Sequence, residues 1–246
     1  MVIWDDLYTV HGGFVNWTAE VLGIYSFTNE LWSSSQYYIN LGQERARSME
    51  AYQQRQADRL LFDDYVEMGV QYKEWKKFNH PVYGEIEIGG WSRETGRVPP
   101  LFMLEELCHR NAMFTLFHAD QMPSPSIDEV EVDHLQDNTY RVDVKVRNDR
   151  VMPTISTLAA DKGVVRPDIL ALEGRSAEVV SAGRVENPWY RRVSDIPGRP
   201  ERVLIKDGIP GNGTLTYQFI VKGSGKVNVT LDCLRGGRDA EEVRLK

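Results

Sequence analysis

The sequence lacks a long apolar run, an excess of basic side chains and more than two cysteines. A membrane-spanning helix needs about 18 or more apolar residues in succession, and no such stretch occurs among the 246 residues. The formal net charge of −7, from 36 acidic and 29 basic residues, argues against a nucleic-acid-binding surface. Cys108 and Cys233 fall in regions that we predict to be separate domains, so both are expected to be free thiols.

Histidine is also scarce, and the whole chain contains only His11, His80, His109, His118 and His134. None of them begins a His-x-x-Glu or a His-Glu-x-x-His spacing, which would place two metal ligands on one side of a helix. Their neighbours in the sequence predict positions in turns, in helix packing or near a strand end. Because a catalytic zinc ion usually takes three protein ligands, we predict no such site within this chain.

The most informative stretch of the sequence runs from Tyr8 to Glu30. A double glycine, Gly12-Gly13, precedes an amphipathic helix predicted over Phe14–Leu22 and a buried strand predicted over Tyr25–Leu31. Glu30 lies at the end of this apolar strand. An unpaired buried carboxylate is strongly unfavourable or becomes protonated, so Glu30 is expected to be paired, bound to a cation or catalytic. On this residue alone, an exposed carboxylate at a strand end is the simpler interpretation.

The order of residues in this stretch resembles the last active-site segment of the zinc carboxypeptidase family, the carboxypeptidase A-like enzymes. That family pattern runs from a mobile Tyr through Gly-Gly and a Trp-containing helix to Gly-Ile, a Ser-Phe-Thr strand and the catalytic Glu. Here the corresponding residues are Tyr8, Gly12-Gly13, Trp17, Gly23-Ile24 and Glu30, with one extra residue before Gly23. The resemblance covers about 25 residues of the chain.

The resemblance implies a metallopeptidase mechanism, in which zinc polarises the scissile carbonyl and lowers the pKa of a bound water. Glu30 would take the water proton and pass it to the leaving amine, and Tyr8 would close over the substrate. Val15 falls where the family sets the pocket for the C-terminal side chain, and its apolar side chain implies apolar or aromatic C-termini. Asn16 falls where the family often has Asp, and Thr28 is expected to line the same pocket.

The family's zinc ligands and its substrate-binding arginines lie N-terminal to this segment, whereas here no arginine precedes Arg45. We therefore expect the chain to be the C-terminal part of a longer carboxypeptidase. Zinc would be the cofactor of the intact enzyme, and none is expected in this chain. The partners would be peptide or protein C-termini, and the resemblance implies a periplasmic or extracellular location.

Helical patterns dominate the next hundred residues. Apolar residues at three- and four-residue steps predict a long helix from Gln43 to about Lys73. Ile86 and Ile88 alternate with acidic residues, which predicts a half-exposed strand. Another helix is predicted over Leu101–His118, and Pro123–Ser126 is predicted to be a linker.

After the linker the apolar period changes to two. Strands are predicted at Val130–His134, Tyr140–Arg147, Ile169–Leu172, Ala177–Val185, Arg202–Lys206, Leu215–Val221 and Val227–Cys233. Seven or eight short strands with turn-rich connections predict an all-β sandwich. The overall prediction is therefore an α/β C-terminal part of a zinc-carboxypeptidase catalytic domain with a helical extension over residues 1–123, followed by a β-sandwich domain over 124–246.

A second hypothesis belongs to a different class of function. In it the chain is a non-catalytic binding protein, with a degenerate carboxypeptidase-like part and a β-sandwich that recognises a ligand or partner. The retained Tyr8 and Glu30 argue against degeneracy. The coding sequence upstream of Met1 would separate the two hypotheses, because only the enzyme requires an upstream His-x-x-Glu and a later His.

Overall fold

The structure, a computed structural model, describes residues 12–29, 31–32, 49–93, 98–187 and 189–245. These residues divide into two compact units, which are considered separately. One contains the residues up to Thr28 together with those from Phe117 onward, and the other contains Asn29–Leu116. No helix in the described part of the chain is long and apolar enough to cross a membrane.

Three helices and one hairpin are the regular elements among the described residues before the β-rich region. Helix α1 covers Phe14–Glu20, helix α2 covers Met49–Val66 and helix α3 covers Leu101–Asp120. Strands β1, Tyr72–His80, and β2, Gly84–Trp91, pair antiparallel. The predicted helices that correspond to α1 and α3 are confirmed, as is the predicted strand that corresponds to β2.

The predicted end of the second helix at Lys73 is wrong, because the chain reverses direction after α2. Met68 and Gly69 have φ angles of 60° and 67°, which a right-handed helix does not allow. The carboxylate of the buried Asp63 then accepts the backbone N–H of Tyr72 at 2.8 Å and fixes the start of β1. The spacing of apolar residues continues past Val66 into the turn, and the predicted helix is therefore longer than the observed one.

The predicted buried strand over Tyr25–Leu31 is also wrong for its described residues. Residues 24–29 form no strand, and Phe27 and Leu31 are 53% and 65% exposed. An apolar stretch becomes a strand only where a neighbouring strand takes up its N–H and C=O groups, and no described strand pairs with this one. The described residues before 125 contain an antiparallel hairpin and no parallel sheet, so the predicted α/β catalytic domain is not supported.

Nine strands form the second half of the described chain, together with the short helix α4, Thr157–Lys162. We call this region, from β3 to β11, the β-domain. Its strands are β3 Pro125–Gln136, β4 Thr139–Asn148, β5 Asp168–Gly174, β6 Ala177–Asn187, β7 Arg192–Asp195, β8 Arg202–Ile205, β9 Gly213–Gly223, β10 Gly225–Cys233 and β11 Gly237–Leu245. All seven predicted strands are confirmed, and β7 and β11 are additional. The predicted linker is wrong from Pro125 onward, because β3 begins there.

The strands of the β-domain follow one antiparallel path in the order β11-β10-β5-β6-β9-β4-β3, with β7 beside β6 and β8 beside β5. The β5–β6 ladder contains the single pair Gly174 and Ala177. At the other end of the path β11 approaches β3, because the backbone N–H of Ile127 donates to the Asp239 carboxylate at 2.8 Å. The result is an antiparallel sheet that is nearly closed.

The core of the β-domain follows from the period of two along its strands. On β4, Val142, Val144 and Val146 are fully buried, whereas Arg141 and Lys145 face outward. The buried faces of the other strands contribute Leu170, Leu172, Val203, Phe219, Val221, Val227, Val229 and Leu231. Each such side chain contributes roughly 1.5–3 kcal/mol on burial, so the β-domain has an apolar core of its own.

Candidate functional site

The glycine turn and helix α1 begin the described part of the segment that carries the predicted site residues, which continues to Asn29. Gly12 has a φ angle of +68°, a backbone conformation that glycine adopts without strain. Helix α1 begins directly afterwards, with the N–H of Trp17 bonded to the carbonyl of Gly13 at 3.0 Å. The buried Thr18 donates its hydroxyl to backbone carbonyls one turn earlier. The double glycine therefore forms the turn that directly precedes α1, as its position before the predicted helix indicates.

Three of the five predicted site residues lie in the described part of the chain. Val15 and Asn16 are half-buried neighbours in the first turn of α1, and Thr28 is exposed on the irregular segment after the helix. Tyr8 and Glu30 lie outside the described residues. Asn16 lies one turn before Glu20 on α1, and its amide is a minor cause that lowers the pKa of Glu20.

Glu20 connects the end of α1 to helix α4 of the β-domain. Its carboxylate lies 2.8 Å from Nζ of Lys162, and this hydrogen bond is the main cause that lowers the pKa of Glu20. Both side chains are roughly half exposed. Exposed ion pairs of this kind stabilise a contact only slightly, so we assign this pair a minor part in holding α1.

Gly23, in the loop after α1, makes a closer contact with α4. Its φ angle is +61°, and a Cβ atom at this position would lie 2.7 Å from the Cβ of Ala159 and 3.1 Å from a methyl of Val165. Real Cβ atoms do not approach so closely. Glycine is therefore required here both by the left-handed backbone and by the packing of the chain against α4.

Arg235 makes the third contact, and no pattern in the sequence predicts it. It lies in the turn between β10 and β11, and its guanidinium donates to the backbone carbonyls of Leu22 and Gly23, the former at 2.6 Å. Leu22 and Gly23 follow Glu20, the last residue of α1, and its C-cap residue Val21. The Arg235 guanidinium therefore binds, from the β-domain, the loop that directly follows α1.

Two aromatic side chains extend this contact. Burial raises the pKa of the Tyr25 hydroxyl, and the positive charge of Arg235 opposes the change. Phe27 meets the ring of His118 edge to face, with centroids 4.5 Å apart. His118 thus takes a packing role, as its position on a predicted helix indicates.

A buried polar cluster lies beneath the turn that carries Arg235. Asp168 is fully buried at the start of β5, accepts the hydroxyl of Thr154 at 2.5 Å and accepts the N–H of Leu234 at 3.3 Å. Burial raises the pKa of the Asp168 carboxyl, and these hydrogen bonds together with one from the Cys233 thiol oppose the change. The residue before Arg235 is thus fixed to the core of the β-domain.

A separate groove of about 240 Å³ lies on the outer face of the β-domain. It is lined by acidic and basic residues together, among them Glu129, Asp143 and Lys145. Lys145 pairs with Asp128 at 2.8 Å, and Arg141 pairs with Asp143 at 3.2 Å. These charges neutralise one another, so the groove presents no field of one sign that would select a charged ligand.

Potential metal ligands are scattered over the described ranges. Within them, no group of three or more His, Cys, Asp or Glu side chains is arranged to hold a metal ion. The two cysteines do not pair: Cys108 is exposed on α3 and Cys233 is buried at the end of β10. The prediction of two free thiols is confirmed.

Comparisons with known proteins give a family match for the β-domain. Residues 124–244 match a family described as Domain of unknown function (DUF8731). No curated protein matches the chain. Among solved structures, DesR, a beta-glucosidase from Streptomyces venezuelae in complex with D-glucose, is 11% identical with a TM-score of 0.22. The alignment covers 50% of this chain and 15% of that one, and a TM-score this low carries no argument about fold or activity.

Proposed function

We propose that this chain is the C-terminal portion of a zinc-dependent metallocarboxypeptidase that removes C-terminal residues from peptides. The observation that carries the proposal is the order of Tyr8, Gly12-Gly13, Trp17 and Glu30, which resembles the last active-site segment of that family. Turn, helix and carboxylate occur together in the family's order, and this combination is much more specific than any one of its residues.

Each residue of the segment has a distinct role in this proposal. Glu30 is the general base that accepts a proton from the attacking water and then delivers it to the leaving amine. Tyr8 hydrogen-bonds the bound substrate. Val15 and Thr28 line the pocket for the C-terminal side chain of the substrate, and the apolar Val15 favours apolar or aromatic side chains there. Asn16 lies beside Val15 on α1.

Zinc belongs to the intact enzyme in this proposal, where it would polarise the scissile carbonyl. The described residues offer no ligand set for it, so we assign no step of this chain's own chemistry to the metal. A zinc titration of this chain by calorimetry is expected to show no tight one-to-one binding. Tight stoichiometric binding would contradict the proposal that the metal ligands come from a preceding segment.

The exposed segment after Gly23 is consistent with the proposal. Tyr25 and Phe27 are 36% and 53% exposed, and no described strand pairs with residues 24–29. Apolar and aromatic side chains of this kind would be covered in an enzyme whose sheet is completed by neighbouring strands. The proposal expects the segment before Met1 to provide those strands.

The decisive experiment uses the protein translated from the reading frame extended upstream of Met1. That protein is expected to release the C-terminal residue of peptides ending in Phe or Leu and to leave the same peptides with an amidated C-terminus intact. Glu30→Gln should abolish turnover while zinc content is unchanged, and Glu241→Gln, an exposed carboxylate on β11, should behave like the wild type. Full activity of Glu30→Gln would refute the role of the base, and an upstream stop codon would favour the non-catalytic binding protein.

We further infer that the β-domain is a β-sandwich. Strands β8-β5-β10-β11 would form one layer and β7-β6-β9-β4-β3 the other, because the two groups are joined through the single pair Gly174 and Ala177. Side chains buried from both groups, such as Val144 and Leu172, belong to one core. An experimental structure in which the β5–β6 ladder extends over many residue pairs would contradict this description.

A further inference from the structure

We propose that Arg235 is a positioning residue through which the β-domain holds the loop directly after α1, at Leu22 and Gly23, and with it the chain that leads from Gly23 towards Glu30. The contact itself is independent of the activity of the protein. Its consequence for catalysis rests on the function proposed above. In this proposal the β-domain fixes one end of the segment that carries the site residues.

The geometry of the contact favours arginine over any other side chain. The guanidinium is planar and presents several N–H groups in a fixed fork, and two of these reach the successive carbonyls of Leu22 and Gly23. Both carbonyls lie in the loop directly after α1, outside the hydrogen-bond ladder of the helix. A lysine at this position retains the charge but cannot reproduce the paired geometry.

The turn that carries Arg235 is itself fixed by a hydrogen bond to the buried Asp168. The N–H of Leu234 donates to the buried carboxylate of Asp168, which also accepts the hydroxyl of Thr154. The polar connection therefore runs from the core of the β-domain through one backbone turn to the loop directly after α1. Because each member of this connection is bonded on both sides, a displacement of α1 would break hydrogen bonds to a charged group, which are stronger than those between neutral groups.

Removal of the guanidinium would leave the two carbonyls without that partner. Other described contacts here include the packing of Gly23 against Ala159, the ring contact between Phe27 and His118, and the exposed pair between Glu20 and Lys162. The exposed ion pair contributes little. We therefore expect the segment from Leu22 to Thr28 to separate from the β-domain much more often in the Arg235→Ala variant, while the β-domain keeps its fold.

Hydrogen exchange on the 246-residue chain tests the contact directly. The most informative amide is that of Ile24, which is bonded to the carbonyl of Thr18 at 2.9 Å. Arg235→Ala should accelerate its exchange by at least about tenfold, and amides of β4 and β9 should keep their wild-type rates, which shows that the β-domain is folded. Arg235→Lys should give an intermediate rate. Wild-type exchange of Ile24 in Arg235→Ala would overturn the proposal.

Arg238→Ala is the matched control for this experiment. Arg238 lies on the same hairpin and pairs with Asp232 at 3.1 Å, and its side chain is 81% exposed. Its removal subtracts the same charge from the same turn region without touching α1. We expect the exchange of Ile24 to be unchanged, and an acceleration equal to that of Arg235→Ala would show that the net charge, rather than the contact, is responsible.

Kinetics of the enzyme from the extended reading frame test the catalytic consequence. Arg235→Ala should lower kcat by about 10- to 100-fold with little change in KM, and Arg235→Lys should restore part of that loss. An inactive wild type would overturn the proposed function, and the exchange rates would still decide whether the contact exists. Wild-type kcat in an Arg235→Ala enzyme whose Ile24 exchanges rapidly would refute the positioning role while leaving the proposed activity intact.

Discussion

Gly23 and Ala159 lie so close together that a methyl group added to Gly23 would come within 2.7 Å of the Ala159 Cβ atom. Ala159 is fully buried in α4, where its backbone N–H is bonded to the hydroxyl of Ser156 at the start of the helix. The position of Ala159 is therefore fixed by the β-domain. The chain after α1 can approach it only because residue 23 has no side chain.

Replacement of Gly23 by Ala should consequently detach this segment from the β-domain. Gly163 is a matched control, because its φ angle of +62° is nearly the same as the +61° of Gly23 but a Cβ there would meet no atom within 4 Å. Both variants incur about 1 kcal/mol of backbone strain. Only Gly23→Ala adds a steric conflict, for which we expect a further loss of about 1–3 kcal/mol.

Urea unfolding compares the free energies of the two variants, and hydrogen exchange at Ile24 locates the difference. Gly23→Ala should accelerate exchange of Ile24, whereas Gly163→Ala should leave it close to the wild-type rate. Equal losses of stability in the two variants would show that the backbone conformation alone requires glycine at position 23.

The β-domain could be predicted from the sequence because its signal is local. Alternation such as that of Val142, Val144 and Val146 with polar residues reports which side of a strand is buried, and turn residues separate the strands. The sequence does not predict strand β7, because Arg192–Asp195 is short and largely exposed. It does not predict strand β11, because charged residues occur on both faces of Gly237–Leu245 and hide the alternation of apolar and polar residues.

The segment after α1 shows where local patterns fail. The apolar side chains from Tyr25 to Leu31 have the composition of a buried strand, but a strand also requires a neighbour, and the sequence of the segment does not state whether one is present. Arg235 could not be identified from the sequence for a similar reason. It lies in an ordinary Gly-containing turn, more than 200 residues from the carbonyls that it binds.

The two cysteines should differ strongly in reactivity. Cys108 is exposed, whereas Cys233 is buried, and burial together with the nearby Asp168 charge raises the pKa of the Cys233 thiol well above its usual range. Because the thiolate is the reactive form, an aromatic disulfide reagent at about pH 8 should modify one thiol rapidly. The second should react at least about 100-fold more slowly, through opening of the β-domain.

Single replacements assign these two phases. Cys108→Ser should remove the rapid phase, and Cys233→Ser should retain it. In wild-type protein unfolded by urea, both thiols should react at similar rates. Two rapid phases in the native wild type would show that β10 opens easily at its end and that the cluster around Asp168 is not closed to solvent.

The buried Asp168 should make the stability of the β-domain depend on pH in an unusual direction. Burial raises the pKa of its carboxyl in the folded state above the unfolded value of about 3.9. At pH values between these two pKa values the folded state binds more protons than the unfolded state. The contribution of this group to the free energy of unfolding is therefore fully present below about pH 3.9. It falls as the pH rises through the pKa of the folded state. Carboxylates with lowered pKa, such as Asp232, contribute the opposite slope.

Comparison with Asp168→Asn isolates this contribution, because every other titrating group is common to both proteins. Asn cannot titrate, and its NH₂ group in place of one carboxyl oxygen leaves Thr154 or Leu234 without an acceptor, which costs about 1–3 kcal/mol. We expect the wild type to exceed the variant in urea stability most clearly near about pH 4, with a difference that shrinks towards neutral pH. Asp161→Asn, an exposed carboxylate on α4, controls for the lost charge. A difference for Asp168→Asn that grows with pH would mean that the folded protein stabilises this carboxylate in its charged form.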